Sequence, residues 1–245
     1  LWHSLFMLLV VFTVGQSVTR GLSYVVKLLL PALIIMLLAL AGYAMAVGDM
    51  LQTVNFLFAW KWSDISTSVV LAAIGHAFFS LSIGMGGMFA YGAYMSKHMS
   101  IARACSIVVG VDLLVAVLAG LVIFPLVFTM DVAIDSGPSL TFVTLPVIFG
   151  DLPAGQLVGS VFFLLMVLAA LTSAISMLEL FVAGLHERFY VSRFTSAAVL
   201  GGAAWLVGIA SILSFNDWKY SRLFGMTFFD FLDAALSADS PSNVF

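Results

Sequence analysis

Residues 75–87 read GHAFFSLSIGMGG and sit at the middle of an uncharged run from Ile65 to Ser96, bounded by Asp64 and Lys97. Such a run is long enough to cross a bilayer as helix, since about 20 apolar residues span the ~30 Å hydrocarbon core. Yet its centre carries a histidine, two serines and four glycines. Ser80 falls sixteen residues after Asp64 and seventeen before Lys97, which puts SLSIG at the midplane, and neither half, 66–79 or 85–95, would span alone. Ser80, Gly84 and Gly86 weaken the helix at a depth where its backbone groups must otherwise be closed within it, and breaks there are tolerated where they line a cavity. A half-helix starting near Met85 would aim its positive end at an anion, while freed carbonyls and the Ser80 hydroxyl could take a cation. The competing reading is close helix packing, which glycines in membrane helices more often serve.

The rest of the composition fixes the setting. Of 245 residues, 63% are hydrophobic and 9% charged, far from the ~25% charged residues of soluble domains. This pattern predicts an integral membrane protein, all-α: a polytopic transmembrane helical bundle rather than a barrel, because long uncharged runs replace strand-length alternation. The net charge of −3 comes without a basic patch, so no nucleic-acid partner is expected. A single cysteine, Cys105, excludes an intrachain disulfide or a CxxC site. Leu1 opens inside one apolar run and SADSPSNVF closes as another develops, so residues 1–245 are expected to form a single transmembrane domain that is an internal fragment of a longer protein.

Reading between charges predicts a partial helix at 1–17, helices at 26–47, 66–96, 102–127, 156–185 and 194–214, and a seventh starting near Phe224. Basic residues occupy alternate connections: Arg20 and Lys27, then Lys97 and Arg103, then Arg188 and Arg193. The positive-inside rule therefore puts 18–27, 97–103 and 186–193 in the cytoplasm, with the acidic connections outside. The long connection from Met130 to Pro153 contains SGPSLTFVTLPVIFG, too short and broken to span, and reads either as an external loop that folds back onto the bundle or as a plain surface loop.

Polar residues inside the spans are the candidates for function. Asp112 lies nine residues past Arg103, roughly 14 Å into the membrane at 1.5 Å per residue. A carboxylate there costs about 3 kcal/mol on insertion scales and needs a partner. It is either a ligand for a cation or proton, or a group that makes a structural hydrogen bond or meets a partner on a missing helix. On the helix at 156–185, Ala169, Thr172, Ser173 and Ser176 share one face. That face is either a packing seam or, with the Ala169 carbonyl and the Thr172 and Ser173 hydroxyls, an oxygen-only site for a hard cation. Glu179, lower on the same helix, either snorkels or pairs with a missing helix. His76 and Ser80, four apart, would be a base and nucleophile only with an orienting third group and an oxyanion hole, and the sequence offers neither, so no enzyme is expected.

GHAFFSLSIGMGG, the following GVDLL, SLTFVTLPVIFG, LAALTSAISMLE and FFDFLD occur in an order that resembles bacterial members of the neurotransmitter:sodium symporter family, along nearly the whole chain. The resemblance implies a partial inverted-repeat transporter fold with a discontinuous helix, running from the fourth helix of the family fold into the tenth. It implies two sodium sites. One carries over to Ser80 and Asp112, where many relatives have threonine and asparagine, and the other to Ala169, Thr172 and Ser173; chloride is not expected. It also implies a substrate pocket of Phe79, Ser80, Ser82, Gly84, Met85, Ser173 and Met177, and gates at Tyr94, Glu187 and Asp233. The methionines suit an apolar or aromatic amino-acid side chain. The implied function is sodium-coupled amino-acid symport by alternating access across a bacterial cytoplasmic membrane. The implied partners are the amino acid, membrane lipid and missing N-terminal helices. Alternatives are a proton-coupled transporter of the same architecture, with Asp112 carrying the proton, and a non-transporting scaffold or receptor.

Overall fold

The computed structural model describes residues 1–16, 22–59, 61–62, 65–84, 86–88, 92, 95, 100–130, 140–218, 220, 222 and 225–237, with the side chains of 22–26 and 233–237 outside the description. These residues are helical almost throughout: α1 (Trp2–Gly15), α2 (Leu22–Val47), α3 (Met50–Phe58), α4 (Thr67–Ser80), α5 (Ile101–Thr129), a π-helical turn (Leu140–Thr144) running into α6 (Leu145–Asp151), α7 (Gly155–Phe189), α8 (Arg193–Phe215) and α9 (Phe228–Ser237). Among the described residues, four stretches are long and apolar enough to cross a membrane: Lys27–Val47, Ile101–Thr129, Gly155–Phe189 and Arg193–Phe215, with mean hydropathies of 2.4, 2.9, 2.5 and 2.0. Their bounds follow the uncharged runs, except that α7 continues to Phe189. Its last turn carries His186 and Arg188, where positive charge suits a helix C-terminus. The seventh helix starts at Phe228, not near Phe224. Gly225, at φ +86°, turns the chain first, and Thr227 then caps the helix: its hydroxyl donates to Asp230 Oδ2 at 2.6 Å while the Asp230 amide returns to Thr227 Oγ1 at 3.2 Å.

The chain divides into two compact units, Val26–Thr172, and Leu1–Val25 with Ser173–Phe245. In the first, Leu37, Leu40 and Ala44 of α2 meet Val122, Leu126 and Val127 of α5, with Leu145, Ile148 and Phe149 of α6 and Val158 and Phe162 of α7. Of the two readings of this segment, folding back is therefore the one found, as a short helix with one buried face. Tyr43 holds its far end by donating to Pro153 O at 2.5 Å. Gly48 lets the end of α2 touch α5: a Cβ there would stand 2.4 Å from Pro125 Cβ and 2.7 Å from its carbonyl carbon.

The α3 helix has no counterpart among the spans read from hydropathy, which detects span-length runs and passes over nine residues. Asp49 starts it, accepting the Gln52 amide at 3.0 Å, and fixes it to α5 through its own amide, which meets Thr129 Oγ1 and Pro125 O at 3.1 Å each.

In the second unit α1 packs on α8 through two glycines. Gly201 makes room for Val11, and Gly208 for the His3 ring, which a Cβ would meet at 2.5 Å. His3 Nε2 lies 3.2 Å from Trp205 O, and the Trp205 indole donates to Ser4 Oγ at 3.0 Å. Glu179, for which the sequence left two readings, pairs inside this chain. Arg193 Nη2 donates to both its oxygens, at 2.7 and 2.5 Å, and reaches the Val14 and Gln16 carbonyls at the end of α1. The side chains are 6% and 20% exposed. One arginine thus holds a nearly buried carboxylate and caps a helix end.

Removing one partner of such a pair leaves the other charge buried. Glu179→Ala is expected to destabilise by about 3 kcal/mol, and Glu179→Ala with Arg193→Ala together by clearly less than the sum of the two single changes, in a double-mutant cycle followed by thermal melting in detergent.

Candidate functional site

The discontinuity expected at 75–87 is present, and its geometry can be followed bond by bond. Ser66 opens α4 by accepting the Val69 amide at 3.3 Å. The helix closes at Ser80 with the Ser82 amide donating to Phe79 O at 3.0 Å and the Ile83 amide to Phe78 O at 3.0 Å. These are the paired short and long bonds of a Schellman end, with the residue at the left-handed position usually glycine. Here it is Ser82, at φ +54°. The pattern repeats at once: Gly86 N donates to Ile83 O and Gly87 N to Ser82 O, both at 3.1 Å, with Gly86 at φ +73°. Gly84, which an unbroken helix would bond to Ser80 O, instead has its amide 3.5 Å from Phe78 O. The sequence placed the weakness at Ser80, Gly84 and Gly86; the left-handed residues are Ser82 and Gly86. Met85, expected to start the second half, lies outside the described residues.

The end of α4 brings Ser80 to Asp112. The Ser80 hydroxyl stands 2.7 Å from both carboxylate oxygens of Asp112 on α5. A hydroxyl has one proton and a carboxylate about four acceptor positions, so the contact leaves Asp112 with unused acceptor capacity and Ser80 with free lone pairs. Both side chains are exposed on the surface of the chain, as are Phe79, at 72%, and Gly84, while Ser82 is half-buried. The Ser80 hydroxyl is turned to Asp112, not to His76, which is exposed on α4.

A second oxygen pair forms in the same unit on α7, where Thr172 Oγ1 donates to Ala169 O at 2.8 Å. Ser173 and Met177, both exposed, follow on α7 in the other unit. Among the described residues no group of three or more His, Cys, Asp or Glu side chains comes together; the candidate positions present hydroxyls, a carbonyl and one carboxylate, donors suited to hard cations. Of the expected gate residues, Glu187 is exposed in the last turn of α7. Tyr94 lies outside the described residues, and Asp233 stands on α9 with its side chain outside them.

Comparison with known proteins follows the same lines. The model of the Sodium:neurotransmitter symporter family matches residues 1–236. The chain is 34% identical over 232 residues to the uncharacterized sodium-dependent transporter YhdH of Bacillus subtilis, covering 95% of this chain and 51% of that protein. It is 30% identical over 232 residues to an uncharacterized sodium-dependent transporter of Haemophilus influenzae, covering 94% and 51%. The crystal structure of MhsT in complex with L-phenylalanine superposes with a TM-score of 0.84 at 40% identity, over 97% of this chain and 54% of that one. The chain thus spans about half the length of these relatives.

Serine at a left-handed position costs about 1 kcal/mol or more relative to glycine. Ser82→Gly is therefore expected to raise the thermal midpoint and Ser82→Val, β-branched, to lower it, each read by melting in detergent. The same midpoint in all three proteins would show that the left-handed turn at Ser82 carries no strain.

Proposed function

We propose that this chain, which belongs to the Sodium:neurotransmitter symporter family, carries one part of the ion and substrate sites of a sodium-coupled amino-acid symporter working by alternating access. The observation that carries the reading is the Ser80–Asp112 contact, with the hydroxyl 2.7 Å from both carboxylate oxygens at the end of an interrupted membrane helix. A sodium ion seated there is cargo: it would take a lone pair of Ser80 Oγ and the charge of Asp112, turning the serine proton outward. The Ala169 carbonyl and Thr172 hydroxyl, already 2.8 Å apart, together with the Ser173 hydroxyl, form the second ion position in this reading. The ions act by binding the substrate-loaded, outward-open state better than the inward one, which is the only way a bound ligand can shift a conformational equilibrium.

The amino acid would lie along the break, against Phe79, Ser80, Ser82, Gly84 and Met85, with Ser173 and Met177 from α7. Methionines accommodate apolar and aromatic side chains. The bound L-phenylalanine of the similar MhsT structure supports that substrate class. Gating is assigned to Tyr94 and Glu187 on the cytoplasmic side and Asp233 on the outer side, with 18–27, 97–103 and 186–193 facing the cytoplasm. The remaining contacts to ions and to the substrate carboxylate belong to segments beyond this chain, so the activity is that of a longer polypeptide.

Because Asp112 is itself titratable, a proton is the rival cargo at the same position. Uptake of phenylalanine by the longer polypeptide in liposomes, in sodium against choline buffer at fixed pH, is expected to depend on sodium; uptake indifferent to sodium would assign Asp112 to a proton. Loss of a hydrogen-bonded charged group costs about 1.5–3 kcal/mol, so Asp112→Ala is expected to weaken sodium-dependent phenylalanine binding by roughly tenfold or more, and unchanged binding would make Asp112 purely structural.

A further inference from the structure

We propose that His186 is a positioning residue for the cytoplasmic gate, resting on the assignment of Glu187 to that gate: its ring holds a strained left-handed turn between α7 and α8. The corner is short. The α7 helix ends at Phe189 and α8 begins at Arg193, so Tyr190, Val191 and Ser192 alone connect them. Ser192 belongs to α8 as its cap, accepting the Thr195 amide at 3.1 Å. Closing α7 is left to Tyr190 and Val191.

The Tyr190 amide donates to His186 O at 3.0 Å, with φ at +54°. This is the left-handed helix end whose closing position is ordinarily glycine. A β-carbon is disfavoured there, and within this chain the Tyr190 side chain is 93% exposed, so its packing in the chain offsets little of the strain. Such a conformation persists only where its surroundings over-determine it. Here they are supplied by His186, which is half-buried. Besides accepting the Tyr190 amide, it sends its ring across the turn, with Nδ1 2.6 Å from Val191 O. A carbonyl only accepts, so Nδ1 carries the proton and donates it. One residue thus ties the chain on both sides of Tyr190, through its carbonyl before the strained position and through its ring after it.

What the turn holds gives it a function. Glu187 lies in the last turn of α7, inside the loop of backbone that the His186–Tyr190 bond closes. Helix ends fray when their last bonds open, and here fraying would release Glu187. On the other side stands Arg193, the first residue of α8, already bound to Glu179 and to the Val14 and Gln16 carbonyls of α1. With that side anchored, the His186 ring sets where the last turn of α7, and Glu187 with it, stands. His186 acts through Glu187 and touches neither ion nor substrate in this reading.

The test uses the longer polypeptide, in liposomes for uptake and in detergent for melting. Its variants are His186→Ala, His186→Asn, whose side-chain amide can donate from the position of Nδ1, Tyr190→Gly, and His186→Ala with Tyr190→Gly. His186→Ala is expected to lower the turnover of sodium-driven phenylalanine uptake several-fold and to change KM less than twofold, because the substrate position is untouched. His186→Asn is expected to keep most of the turnover. Tyr190→Gly is expected to restore both turnover and thermal midpoint in the double variant, since glycine takes a left-handed turn unaided. No restoration by glycine, or asparagine serving no better than alanine, would overturn the inference. Glu187→Gln, measured beside them, separates that failure from failure of the gate assignment. Unaltered uptake in Glu187→Gln, with glycine still restoring the midpoint of His186→Ala, would overturn the role in gating and leave the held turn standing.

Discussion

A helix interrupted inside a bilayer must close its own backbone, because no water is there to do so. Everything that makes this chain more than a set of spans depends on how that is achieved between Ser80 and Gly87. The two successive Schellman ends satisfy the amides of Ser82, Ile83, Gly86 and Gly87 within five residues of their acceptors. The chain is thereby stopped and re-aimed without a Pro. An unbroken helix would keep its backbone groups locked to each other at the midplane. Stopped at Ser80, α4 offers a side chain whose hydroxyl meets Asp112 on the neighbouring helix, and the turn that follows displays backbone beside it.

Charge inside the apolar part of the chain follows one rule with two outcomes. Glu179 is 6% exposed and its charge is met fully, by a guanidinium that contacts both oxygens and also serves two carbonyls of α1. That arrangement fixes helices, with opposite charges set against each other in a nearly buried place. Among the described residues Asp112 is met by one hydroxyl, on the surface of the chain. The contrast separates a structural carboxylate from one left open, and it comes from the charge of the donor and the burial of the pair rather than from the number of donors.

This contrast also marks where the sequence was legible. Span positions follow from hydropathy, because the cost of charge in hydrocarbon punctuates the chain at each boundary; α2, α5, α7 and α8 lie close to the expected bounds. The break at the midplane was legible for the same reason, as polar and small residues in a place that disfavours them. What could not be read is geometry of close range. Ser82 in a left-handed turn has no signature, since glycine, not serine, usually announces it. The partner of Glu179 lies fourteen residues on, past a helix end, and nothing in spacing selects Arg193 over Arg188. The α3 helix escapes because nine residues are too few to register as a span-length apolar run.

Asp112 sharpens what the Ser80 contact asks of its surroundings. One proton shared between two carboxylate oxygens serves one of them at any instant. The remaining acceptor positions of the carboxylate are open to a cation, which in the proposed reading is sodium. In the proposed reading the charge of Asp112, where the resemblance puts asparagine in many relatives, would be compensated by the bound ion and would tie occupancy of the ion position to the conformational cycle. The proposed dependence on sodium therefore rests on a specific asymmetry between empty and loaded states, built from one serine and one aspartate at the end of a broken helix.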